Sequence, residues 1–443
     1  VKKSLFIFLY LLPLFVQGQI ITNFAGGGTV IGDGGPATAA IVNAANGGAF
    51  DKFGNFYICE AGGHRVRKIG PSGIISRVAG TGTSGGLGDG GPATAAQLSI
   101  PTAVVVDTFG NVYISDLNNF KVRKVDAVTG FISTVVGTGV AGYGGDGIPG
   151  TAAQLQGNEQ IWVDKAGNLF ICDRGNWRVR KLNTSGIITT VAGGTFSGAG
   201  SGDGGPATAA GFNFIVGVAV DDTGNIFIAD YNTGCIRKVN TLGIITTIAG
   251  NGSLTYIGDG IPATAAQMNP VRLTFDTAKN LVIGDKINRR VYKIDNAGIF
   301  HCIAGNGGTG LSGDGGSATA ATLDFPSGVT YDPCGNLYIA ETNNKRVRKV
   351  TFNPSCSPTL ETKTLTLTNN SIYPNPATEE LHIEHTTPNT AYTLNNLVGA
   401  AVLQGTLPHT RNTIPLRSLP PGMYILQLTD EQGRRVVKKV VKE

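Results

Sequence analysis

The chain has 443 residues, of which 65 are Gly and 20 Pro, with 41% hydrophobic and 15% charged residues and a net charge of +5. Charge this far below the roughly 25% of an average globular chain excludes a charge-rich disordered protein. No run free of both Gly and Pro is longer than Asn111 to Thr129, which excludes long coiled coils and helical bundles, and the small positive balance does not indicate a nucleic-acid partner.

At the start, Lys2 and Lys3 precede an apolar run from Leu5 to Val16, followed by Val16-Gln17-Gly18. This pattern predicts a secretory signal peptide over residues 1–18. The competing possibility, a membrane anchor, needs about 20 apolar residues, and this run is shorter and contains Pro13. No other segment is apolar for long enough to cross a membrane, so the mature chain is expected to lack a transmembrane segment and to leave the cytoplasm, reaching the cell surface or the extracellular space through the periplasm.

Most of the remaining chain repeats one unit. GDGGPATAA begins at Gly32 and recurs at Gly88 and Gly202, with GDGIPGTAA at Gly145, GDGIPATAA at Gly258 and GDGGSATAA at Gly313; their Asp residues are spaced 55 to 57 residues apart. After this string each unit has an apolar run ending in Asp, a turn, a run of the type Asn-Leu-Tyr-Ile-Ala-Glu, a basic run and a run like Gly-Ile-Ile-Thr-Thr-Val-Ala-Gly. Short β-rich runs separated by Asp-x-x-Gly-Asn turns predict antiparallel strands joined by hairpins. Four strands per unit in six units predict an all-β fold, a six-bladed β-propeller over residues 19–352. The array starts late, with Ile20 to Gly26 resembling a fourth strand, and stops early, after Val350. The N-terminal strand is therefore expected to complete the last blade and remove two open edges.

The repeat resembles NHL repeats in their long bacterial form, which is similar to the NHL region of teneurins. The resemblance spans residues 20–350 and implies a propeller used mostly for binding, with a few enzymatic relatives. The Asn-His-Leu triplet is degraded, surviving nearest in Gly63-His64-Arg65 and Asn176-Trp177-Arg178. Residues 353–370 read as a linker. Residues 371–443, with Ile372-Tyr373-Pro374-Asn375-Pro376-Ala377, Leu381-His382-Ile383, Leu397-Val398-Gly399, Leu419 to Leu426 and Lys438 to Lys442, resemble the type A C-terminal sorting domain of the type IX secretion system. This implies a Bacteroidota-type host and the type IX machinery as a partner. The same residues, taken alone, read as about seven short strands in a small β-sandwich.

Residues present in every unit are expected to be scaffold. The Asp of Asp-x-x-Gly-Asn accepts backbone N–H bonds in its hairpin, and the GDGG Asp is placed to favour the start of a short helix. Calcium held by these aspartates is the alternative. Arginines at i and i+2 of the basic strand share one face, suited to pairing with acids of the adjacent blade or to a basic rim for acidic glycans. His64 and His301 lie in different blades, which argues against a His-rich metal site, and no catalytic residue is assigned.

Function is sought where the units differ on one face. Four residues before the first-strand Asp most units have a small residue, but the third has Gln160, preceded by Glu159, and the fifth has Arg272. With the turn aromatics Phe120, Trp177 and Tyr231 these form the candidate ligand site, although the rings also suit packing between loops. The expected function is a secreted or cell-surface binding or adhesion module for an extracellular glycan or protein. The alternative is a metal-dependent lyase or lactonase-like hydrolase at the channel mouth. Of six cysteines, Cys334 and Cys356 are placed to form a disulfide that pins the last blade, the other possibility being two free thiols, while Cys59, Cys172, Cys235 and Cys302 sit within strands as small buried residues.

Overall fold

A computed structural model describes residues 19–352, 371–384, 386, 388–396, 401–429 and 435–443. The expected signal peptide and linker lie outside the described residues. The chain divides into two compact units, considered separately.

The first unit contains six antiparallel sheets, each with a four-stranded core. Their inner strands are Ala45–Phe50, Pro101–Val106, Asn158–Val163, Ile215–Val220, Pro270–Phe275 and Pro326–Tyr331. Each inner strand packs against the next and the sixth packs against the first, which closes the ring of a propeller. The sheets are numbered as blades 1 to 6 in this order. The hairpin between first and second strands is fixed as the sequence predicts. In blade 2, Asp107 Oδ1 accepts from the backbone N–H groups of Phe109 and Asn111 at 2.9 Å, and its Oδ2 accepts from Asn111 Nδ2 at 2.8 Å.

Ile20–Gly26 pairs antiparallel with Arg346–Thr351 and supplies the outer strand of blade 6, as expected. Aromatic packing seals the closure: the Phe24 ring meets Tyr338 at 4.7 Å and Phe56 at 5.6 Å, both edge-on.

The GDGGPATAA segments lie along the outer edges of the blades they lead into. Ile148–Pro149 and Ile261–Pro262 add a fifth strand to blades 3 and 5, while Pro36, Pro92 and Pro206 make single bridges to Ile74, Phe131 and Ile244. Outer strands that would otherwise expose unpaired N–H and C=O groups are thereby covered. A 3-10 turn follows, Ala37–Ala39 in the first copy, and the terminal alanines Ala40, Ala96, Ala153, Ala210, Ala266 and Ala321 are fully buried. In the second copy Gly88 has φ +102°, and a Cβ there would lie 2.6 Å from Ala96 Cα, so this crossing accepts only glycine.

One expectation is corrected. The GDGG aspartate makes no cap on the short turn; Pro36 occupies the cap position without a side-chain bond. The carboxylate instead meets the second arginine of the basic strand. In blade 1, Arg67 is fully buried and donates from Nε to Asp33 at 3.0 Å and from Nη1 to Glu60 at 3.0 Å. The arginine thus pairs with its own blade and the loop leading into it, not with the neighbouring sheet. Guanidinium geometry explains the choice of residue, because its planar fork reaches two carboxylates on different sides.

Cys59, Cys172, Cys235 and Cys302 are free, and the first three are buried within strands. Cys334 is disulfide-bonded. Cys356, its expected partner, lies outside the described residues.

The second unit has a three-stranded sheet, Ile372–Tyr373, Glu380–Glu384 and Arg411–Pro415, and a four-stranded sheet, Thr390–Asn395, Ala401–Leu407, Gly422–Thr429 and Arg435–Lys442. Leu381, Ile383, Leu394, Ile414, Leu426, Leu428 and Val440 form its buried core.

Candidate functional site

The channel is crossed by one layer of side chains, those four residues before each first-strand Asp: Gly47, Ala103, Gln160, Gly217, Arg272 and Gly328. The small residues leave space that Gln160 and Arg272 fill. At Gly217 an added Cβ would lie 2.9 Å from Val271 O and 3.3 Å from Gln160 Oε1. Gln160 donates from Nε2 to Leu273 O at 2.9 Å and accepts at Oε1 from the N–H groups of Leu273 and Val218 at 3.1 and 3.2 Å. Arg272 donates to Val216 O at 3.1 Å, to Thr102 O at 3.0 Å and to Asn46 Oδ1 at 3.2 Å. Burial pushes the Arg272 pKa below the ordinary arginine range, while Glu159 pulls in the opposite direction. Together the two side chains plug the channel with polar groups tied to backbone. A cavity of about 260 Å³ in the channel is lined by these two residues with Ala49, Val105, Trp162, Thr274 and Thr330.

On the face that carries the second-to-third strand connections, the mouth is asymmetric. The position after each second-strand acid holds Ala61, Leu117, Arg174, Tyr231, Lys286 and Thr342 in turn. Arg174 pairs with Glu159, and Arg272 Nη2 lies 3.7 Å from the same carboxylate. Arg174 also stands over the Phe214 ring at 4.8 Å, Phe214 meets Tyr231 at 5.7 Å, and Lys286 stands over Tyr231 at 5.1 Å and Phe325 at 4.8 Å. Two cations and three aromatic rings therefore run in one arc across blades 3 to 6, the cation contacts favourable through the ring quadrupole.

The structure brings Glu159, Arg272 and Tyr231 into this arc and sets Gln160 in the plug beneath it. It places Trp177 and Phe120 elsewhere. Both occupy left-handed turns, at φ +50°, and pack on the cores between blades: Trp177 against the core of blades 3 and 4 and, at 5.8 Å, Phe196, and Phe120 against the core of blades 2 and 3. Arg174, Lys286, Phe214 and Phe325 were not among the expected residues. Aligning the position after the second-strand acid across the six units exposes the two cations in the sequence. The two phenylalanines both lie seven residues before the first-strand Asp, where the other units have Ala44, Ile100, Gly157 and Asn269, so the same alignment exposes them too.

Blade 5 departs from the others. Its third strand reads Arg290-Val-Tyr292 where five units have a buried arginine, and Tyr292 stacks on Tyr256 at 5.6 Å. Its two acids have no arginine between them. Asp259 accepts from Cys302 N at 2.8 Å and lies 3.8 Å from His301 Nδ1. Asp285 is fully buried, and burial raises its pKa to about 6 against bonds from Asn269 and Asn288. The Tyr292 hydroxyl eases the Asp285 charge without completing a hydrogen bond. Among the described residues no three His, Cys, Asp or Glu side chains converge as a metal ion requires, and no helix is long and apolar enough to cross a membrane.

Comparison with known proteins agrees with this architecture. Residues 194–307 match the teneurin NHL domain, residues 323–350 an NHL repeat, and residues 371–443 the secretion system C-terminal sorting domain. Human NHL repeat-containing protein 2 is 25% identical over 328 residues, covering 66% of this chain and 44% of the human protein. Mouse Teneurin-4 is 25% identical over 294 residues, covering 60% of this chain and 10% of the teneurin. The chain thus spans less than half the length of these relatives. Among solved structures, a Bacteroides thetaiotaomicron protein of unknown function has a TM-score of 0.56 at 18% identity, covering 75% of this chain and 76% of that one. An auxiliary nutrient binding protein from the same organism has a TM-score of 0.55 at 17% identity, with the same coverage. These two show the fold.

The first unit is a β-propeller, and its residues 194–307 and 323–350 carry repeats of the NHL type. The chain carries a type IX C-terminal sorting domain, which directs it to the cell surface or the extracellular space.

Proposed function

We propose that the propeller is a binding module at the cell surface, and that its extracellular ligand docks on the mouth formed by Glu159, Arg174, Arg272, Lys286 and Tyr231. The observation that carries this reading is the asymmetry of the mouth. A scaffold repeated six times needs no charged and aromatic arc confined to blades 3 to 6, and convergent polar groups beside aromatic rings are what a recognition site requires. The plugged channel supports surface docking in preference to passage through the ring. In the same reading residues 1–18 act as the leader for the first membrane crossing, residues 371–443 as the address for the type IX machinery, and Cys356 as the partner of Cys334.

The test is an array of extracellular glycans and peptides probed with the wild-type chain, with Tyr231→Ser at the mouth and with Lys165→Ala on the opposite face. Hits are expected to be lost in the mouth variant and kept in the other. Hits that survive Tyr231→Ser and disappear with Lys165→Ala would overturn the assignment.

A further inference from the structure

We propose that the ligand of this mouth is a carboxylate-bearing polysaccharide and that Lys286 is its charge anchor, an inference that rests on the mouth being the binding site. Three cations, Arg174, Arg272 and Lys286, gather around one carboxylate, Glu159. That carboxylate is already engaged by both arginines. Lys286 is left over. Among the described residues it makes no salt bridge, and its ammonium rests on two aromatic rings, Tyr231 and Phe325. Burial lowers its pKa, Arg272 and Arg174 lower it further, and Glu159 attracts it only from beyond contact distance.

A partly desolvated ammonium without a counter-ion is costly, and an arriving anion relieves that cost while the existing arginine contacts hold Glu159 away. The mouth is therefore complementary to negative charge. Its rim adds amide groups that suit the hydroxyls of a sugar. Asn232 donates to Asn213 Oδ1 at 3.1 Å and Asn343 donates to Asp324 at 3.2 Å, both on the exposed surface. Amide side chains both donate and accept, as sugar hydroxyls do.

The experiment is calorimetric titration of the full chain with polygalacturonate, alginate and hyaluronan, with dextran and methyl-esterified polygalacturonate as neutral counterparts, and with polyglutamate. At least one of the three acidic polysaccharides is expected to bind, with the neutral polymers and polyglutamate weaker by about tenfold or more and the affinity falling as salt rises. Lys286→Met is expected to weaken binding about tenfold and Lys286→Arg to retain most of it, with unchanged thermal midpoints. If a neutral polymer binds as tightly and Tyr231→Ser removes it, the mouth stands and the carboxylate inference falls. Equal binding of polyglutamate, indifference to Lys286→Met, or no binding to any of the three acidic polysaccharides would each overturn the inference as well.

Discussion

Blades 1 and 5 come from the same repeat and carry the same pair of acidic positions, one buried in the sheet and one exposed on the loop, yet they neutralise them differently. In blade 1 the Arg67 guanidinium touches both Asp33 and Glu60. Blades 2 and 3 do the same with Arg123 and Arg180. In blades 4 and 6 the arginine reaches only the loop aspartate, Asp203 or Asp314. Blade 5 has no arginine at all at this position. The series shows that the edge-covering loop and the sheet are joined by a charge that several blades share unequally. Blade 5 stacks rings in place of the arginine, and its buried carboxylate accepts hydrogen bonds from Asn269 and Asn288.

The largest effect should come from breaking blade 1. Arg67→Ala removes the fully buried guanidinium and leaves Glu60 with Arg65 at 3.5 Å and the exposed Asp33 with Arg77 at 3.4 Å; breaking a buried ion pair costs up to about 3–5 kcal/mol. Urea unfolding should show this loss, and a loss below about 1 kcal/mol would mean that the loop is held by its backbone bonds alone.

The second effect depends on pH and sharpens the contrast from the side of blade 5. The folded-state pKa of Asp285, about 6, lies above its ordinary value of 3.8. The folded form therefore holds the proton more tightly. Its contribution to stability is complete below the ordinary value and is lost as pH rises through the folded value. A shift of this size corresponds to about 3 kcal/mol. Asp285→Asn should consequently gain on the wild type by up to that amount between about pH 4 and about pH 7, read as the difference in unfolding free energy. A constant difference across this range would remove Asp285 as the source. Glu341, raised by burial to about 7 and missed by Arg348, should add to the same wild-type trend.

The smallest effect tests the tyrosine. Tyr292→Phe deletes a buried hydroxyl that completes no hydrogen bond and should change stability by less than about 1 kcal/mol, in the stabilising direction. A clear destabilisation would show that the hydroxyl supports Asp285 after all.

Much of this architecture was legible in the repeat. Six strings with near-constant spacing dictated equivalent blades, and the leftover strand at Ile20 to Gly26 predicted the closure with Arg346–Thr351. Gln160 and Arg272 stood out because they break a row of small residues, and both do fill the channel. Other features needed three dimensions. The link between Asp33 and Arg67 spans 34 residues and depends on the loop lying along an outer edge, which composition does not reveal. For Trp177 and Phe120 the turn position allowed either a surface platform or packing between loops, and the left-handed backbone sets both rings against the cores between blades. Lys286 stands out in the sequence only when the position after the second-strand acid is aligned across the six units, and its meaning comes from the two rings beneath it and the carboxylate it does not reach.

The closure of blade 6 has a mechanical consequence. Arg346–Thr351 is the last propeller strand before the chain runs on toward its sorting domain, so a pull from that side reaches the ring through this strand. It lies between two partners, paired at six positions with Ile20–Gly26 and at five with Leu337–Glu341. Antiparallel ladder bonds run perpendicular to the strands, so tension along its axis loads both ladders in shear and many bonds must fail together. A pull from the tail would therefore have to break two ladders together before the ring opened at this strand.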